Sequence, residues 1–68
     1  MASPLYRKFQ HVPYRYVLID NDHDAHHKCN SNAEACESAK SLSISLATTI
    51  HIFNVDNDEI FGSYTKGV

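Results

Sequence analysis

The chain has no tryptophan, and only two glycines, two prolines and two cysteines among its 68 residues. It contains no Gly-rich phosphate loop, no dinucleotide-binding fingerprint and no serine elbow, so the usual signatures of nucleotide and acyl-transfer enzymes are missing. Cys29 and Cys36 form no Cys-x-x-Cys pair. Two thiols of this kind read as reduced, small side chains that pack much as hydrophobes do. Apolar runs extend over a few residues, against the roughly 20 that a membrane span needs. The stretch from Met1 to Lys8 has basic residues with no apolar segment after them. A secretory leader is therefore not expected, and the chain reads as cytoplasmic.

What is present is ordinary for a globular domain: 43% hydrophobic and 21% charged residues. A chain of this length buries only about 60% of the surface its unfolded form exposes, so its stability margin is thin. The expected core is Val17, Leu18, Ile19, Leu42, Leu46, Ile50, Ile52, Phe53, Val55, Ile60 and Phe61. Small domains often gain stability by association, so a partner or a second copy of the chain is expected. Charge is unevenly spread. Residues 1–19 hold Arg7, Lys8 and Arg15 with no acid, whereas residues 20–68 set three lysines against eight acids.

Residues 1–13 contain Pro4 and Pro13 and lack periodicity. They read as an extended arm, with a short strand over Tyr6–Gln10, ahead of a single domain at 14–68. Tyr14–Ile19 is dense in aromatic and β-branched residues and predicts a strand, which Asp20-Asn21-Asp22 turns into a weaker strand at Ala25–Cys29. Ser31 followed by Glu34 is a capping-box signature opening a helix over about Asn32–Leu46. Ala35, Ala39, Leu42 and Leu46 fall on its buried face, and Ile44 on its exposed one. The alternation of Leu42, Ile44 and Leu46 with serine is strand-like, but a strand from 41 to 55 exceeds the usual length. Thr48–Val55 predicts a strand, Asp56-Asn57-Asp58 a turn, and Glu59–Thr65 its hairpin partner. The last three residues are expected to fray. The fold class is α+β: two β-hairpins, in the order ββαββ, packed on one helix.

Four constellations carry chemistry. Asp20, Asp22 and Asp24 occupy positions 1, 3 and 5 of a calcium loop, but Ala25 and Ser31 stand where Gly and Glu are required, so a solvated acidic turn is the better reading. His23, His26, His27 and Cys29, with Cys36 further along, are zinc-type donors whose spacing matches no standard finger. On a strand, His27 and Cys29 share one face and His26 takes the other. His23-Asp24 matches in miniature the His-Asp dyad of metal phosphohydrolases, whose further ligands this chain is too short to supply. Tyr6, Arg7, Lys8, Phe9, His11, Tyr14, Arg15 and Tyr16 interleave rings with cations as single-strand nucleic-acid binders do. Three cations on an acidic chain make a weak phosphate track, and Tyr and Arg are equally the residues of protein interfaces.

Helix, strand, Asp-Asn-Asp turn and final strand from Glu34 to Tyr64 resemble, in size and layout, small phage-encoded inhibitors such as anti-CRISPR proteins and host-polymerase inhibitors. That resemblance covers about half the chain, is architectural, and carries over no motif residue. It implies a non-enzymatic binding module that blocks a host protein or nucleoprotein complex by occlusion or acidic mimicry. The expected contact residues are Tyr6, Arg7, Phe9, Tyr14, Tyr16, Asp20, Asp22, Asp24, Ile44, Asp56, Asp58 and Glu59, with no cofactor. The alternatives are a small zinc-binding domain using His23, His26, His27 and Cys29, and a single-strand nucleic-acid binder using the basic arm.

Overall fold

The computed structural model of the chain describes residues 4–68. Its elements are α1 (Pro4–Phe9), β1 (Tyr16–Ile19), β2 (Ala25–Cys29), α2 (Asn32–Ser45), β3 (Thr49–Asn54) and β4 (Glu59–Thr65). The strands form one antiparallel sheet in the order β2-β1-β3-β4. The fold is α+β as expected, with one helix more than the pattern predicted. Among the described residues no helix is long and apolar enough to cross a membrane.

Alternation along the strands builds two cores, one on each face of the sheet. On the first, Tyr16, Leu18, Ile50 and Ile52 pack with Cys29 against Ala35 and Ala39 of α2. On the second, Val17, Ile19, Phe53 and Val55 pack against Phe9, with Leu5, Tyr6 and Val12 around them. β1 is buried along its whole length because both of its faces are covered.

The second core corrects the reading of the N-terminus. Residues 4–9 are helical where an extended arm and a short strand were expected, and Phe9 is buried with its ring 6.2 Å from that of Phe53. Pro4 stands at the first helical position, where its fixed φ and missing N–H have no cost. The first three residues of the expected arm lie outside the described residues. Phe9 and Tyr16, read as contact residues, belong instead to the two cores.

α2 begins as its signature predicts: Ser31 is extended and its Oγ accepts from the Glu34 N–H at 3.3 Å. Its buried face follows an i+4 row, Ala35, Ala39 and Ser43, rather than turning toward Leu46. Leu46 is the C-cap and is exposed, which corrects its place in the expected core. Ser43 Oγ donates to the Lys40 carbonyl at 2.7 Å and accepts from the Gly67 N–H at 2.8 Å. That second bond, with reciprocal main-chain bonds between Thr65 and Val68, ties down a terminus expected to fray. Gly67 sits at φ 88° with Ile44 above it, where an added Cβ would meet Ile44 at 2.9 Å.

Ile60 and Phe61 were also expected inside and are 43% and 47% exposed. β4 is a sheet edge, and a bulge opposite Ile52 and Phe53 leaves Phe61 without a partner across the ladder. Bulges bend an edge strand and re-aim its side chains.

Candidate functional site

Antiparallel pairing decides where the charged segments go. Ile19 lies opposite His51 and Tyr16 opposite Asn54, so turn 20–24 leaves one end of the sheet and turn 56–58 the other. The two acidic turns thus form no single patch. Each is also met by a cation of the N-terminal segment. Lys8 Nζ lies 3.9 Å from Asp24 and donates to the His23 carbonyl at 2.6 Å, and Arg15 Nε donates to Asp56 at 3.0 Å. Both pairs are exposed, so each contributes little to stability, but they turn Lys8 and Arg15 toward the chain's own acids.

Turn 20–24 is organised by Asp20. Its Oδ1 accepts from the Asp22 and Asp24 N–H groups at 2.8 and 3.0 Å, and its Oδ2 from His26 Nε2 at 2.8 Å. The His26 hydrogen bond above all, aided by those N–H groups, holds the Asp20 carboxyl down at about 2. Asp20, Asp22 and Asp24 do lie together, but Asp20 already serves as the acceptor that closes the turn.

The predicted His/Cys cluster is split by a second bulge. Leu18 pairs with His27 and Ile19 with Ala25, so His26 is the extra residue and swings to Asp20. His23 sits in the turn at φ 65°. His27 and Cys29 face α2 as their spacing required, and a carboxylate unforeseen in this role joins them. His27 Nε2 bonds Glu34 Oε2 at 2.9 Å, so the Glu34 side chain does not close the capping box. Donor atoms of His27, Cys29 and Glu34 all lie within 4.8 Å of one another. Cys29 is buried and its thiol donates to the Ser31 carbonyl at 3.6 Å. Burial, with the Glu34 charge second, pushes that thiol's pKa up. Beside this group a groove between β2 and α2 is lined by His26, His27, Glu34, Glu37, Ser38 and Leu42.

A third constellation escaped the sequence reading altogether. Ser63 Oγ lies 2.7 Å from His51 Nδ1, and His51 Nε2 lies 2.9 Å from Asn21 Oδ1. The amide oxygen requires a proton on Nε2, so the neutral ring accepts the Ser63 proton at Nδ1. The order is that of a nucleophile, base and orienter. It lies exposed on a sheet face, where it pins turn 20–24 to β3 and β4.

The remaining feature is the β4 edge. Six large hydrophobic side chains are exposed among the described residues: Tyr14, Ile44, Leu46, Ile60, Phe61 and Val68. Ile60 and Phe61 lie on β4, Val68 follows it, Ile44 covers Gly67, and Leu46 caps α2 two residues beyond Ile44. Tyr14 stands apart, ahead of β1. Ile44 is exposed as expected and lies over Gly67, just beyond the C-terminal end of β4, whereas Ile60 and Phe61 stand near its start, with the Phe61 ring 5.7 Å from that of Tyr16.

Comparison with protein-family models, with curated proteins and with solved structures finds no match to the chain.

Proposed function

We propose that the chain is a non-enzymatic protein-binding module that docks an extended segment of a partner protein along the β4 edge. The observation that carries this reading is that β4 is a sheet edge with Ile60 and Phe61 exposed at its start and with Val68, and Ile44 over Gly67, exposed at its tail. Exposed apolar side chains at both ends of an unpaired edge give an added strand apolar contacts along its length. An edge strand also offers unpaired N–H and C=O groups, which give main-chain affinity when a partner adds a strand, with side-chain pockets giving specificity.

This narrows the inhibitor reading of the sequence to occlusion by one edge. Acidic mimicry loses support, because the acidic turns lie at opposite ends of the sheet and are met by Lys8 and Arg15. Glu59 flanks the docking edge at one end and Lys66 at the other. An antiparallel or parallel partner strand therefore meets one charge of each sign.

The test is capture from lysate of the source cell on tagged chain, with the variants Phe61→Lys and Ile44→Lys beside wild type. A charge on the edge strand at Phe61 opposes strand addition, and a charge at Ile44 removes the apolar contact over the β4 tail, so a protein held by wild type should be lost, roughly tenfold or more, from both variants. Asp22→Asn, at the far turn, should retain it. Retention by both lysine variants contradicts the reading. Ile44 is 59% exposed, so its variant should fold whatever the fate of Phe61→Lys. A wild-type dimer that dissociates in both variants identifies a second copy as the occupant.

A further inference from the structure

We propose that His27, Cys29 and Glu34 bind a zinc-type dication and thereby staple the β2 edge to the first turn of α2. Three independent features of the fold converge on this site. Strand periodicity brings His27 and Cys29 to the face that α2 covers. The Ser31 cap sets the start of α2 so that Glu34, in its first turn, reaches His27 at 2.9 Å. The bulge at Leu18/Ile19 removes His26 to Asp20, which separates the three donors from the neighbouring histidine.

The donor chemistry selects the class of ion. Imidazole nitrogen, thiolate sulfur and carboxylate oxygen together suit zinc and its neighbours rather than calcium or magnesium, which take oxygen. Tetrahedral ligands 2.0–2.3 Å from zinc stand about 3.3–3.6 Å apart. The three donor atoms already lie within 4.8 Å of one another, so modest side-chain rotations bring them to that spacing. Thiolate and carboxylate carry two negative charges and the imidazole none, so a dication leaves the site neutral. Binding replaces the Cys29 S–H bond with a sulfur–metal bond and releases that proton to solvent. The His27–Glu34 hydrogen bond gives way to two metal bonds, the ring proton of His27 passing from Nε2 to Nδ1 by exchange with solvent so that Nε2 offers its lone pair. With three protein ligands, the fourth position goes to water or to a donor from a partner, on the side of the groove lined by Ser38 and Leu42.

Such a staple suits a 68-residue chain, since domains of this size commonly add a metal to a small core. It also acts at the opposite edge of the sheet from β4, so its presence is independent of the partner-binding reading.

Cobalt(II) added to reduced, metal-free protein gives the test. One equivalent should produce a sulfur-to-cobalt charge-transfer band, which zinc displaces. Cys29→Ser should abolish the band. His27→Gln and Glu34→Gln should each weaken zinc at least about tenfold in competition with a chromogenic chelator. His26→Gln should leave zinc affinity within about twofold of wild type. His27 and Glu34 lie toward the surface, so their variants keep the test decisive even if Cys29→Ser fails to fold. A wild-type chain without the band, a band that survives in folded Cys29→Ser, or equal losses in His26→Gln and His27→Gln would each overturn the site.

Discussion

Asp20 illustrates how one side chain fixes a turn. Its oxygens accept from two main-chain N–H groups and from His26, and the carboxyl stays charged down to about pH 2 against an ordinary 3.8. A carboxyl whose folded value is depressed stabilises the fold fully above its unfolded value. That contribution is lost as pH falls through the folded value. Asp20 thus supports the β1–β2 hairpin above about pH 4 and ceases to do so as pH approaches 2. Carbon-13 titration of its carboxyl should give a midpoint near 2, moving up toward the ordinary value in His26→Gln. A wild-type midpoint near 3.8 would mean that the His26 bond does not form in solution. The turn itself was legible in Asp20-Asn21-Asp22, because Asn and Asp bond their own main chain. The His26 partner was not, because nothing local places the bulge that delivers it.

At the scale of elements, the chain's punctuation carries the most information. Ser31 with Glu34 located the start of α2, and the two Asp-Asn-Asp turns located both hairpins. β2 and β4 have the predicted limits, while β1 and β3 are shorter than predicted. α1 was not legible. Six residues are too few for helical periodicity to show, and the helix is held by Phe9 against Phe53, a contact between distant segments. The burial of strands was misjudged for a similar reason: Ile60 and Phe61 look like core residues until strand order puts β4 at the edge. Glu34 was read as half of a capping box, and its role beside His27 depends on how β2 packs against α2. The C-terminus of α2 offers a direct test of its geometry. Thr48 N–H bonds the Ser43 carbonyl, and Ala47 N–H the Ile44 carbonyl, a Schellman ending with Ala47 at φ 50°. Glycine suits that left-handed position better than alanine. Ala47→Gly should therefore raise unfolding stability by about 0.5–1 kcal/mol in a denaturant titration. A loss of stability would show that the helix ends differently.

For the molecule as a whole, the arrangement is a sheet covered on both faces, with its two edges treated differently. β2 exposes no large apolar side chain and engages the start of α2 through His27 and Glu34. β4 presents apolar side chains and an unpaired backbone. The uneven charge seen in the sequence is largely answered within the chain, where Lys8 meets Asp24 and Arg15 meets Asp56. That leaves the apolar edge as the surface with most to gain from a partner. Amide hydrogen exchange along β4, compared between the free chain and the complex captured by wild type, tests this most directly. Amides of β4 from Gly62 to Thr65 that point away from β3 should exchange at least about tenfold more slowly in the complex, with β2 amides unchanged. Equal exchange of the β4 amides in both states, with protection appearing elsewhere, would contradict it.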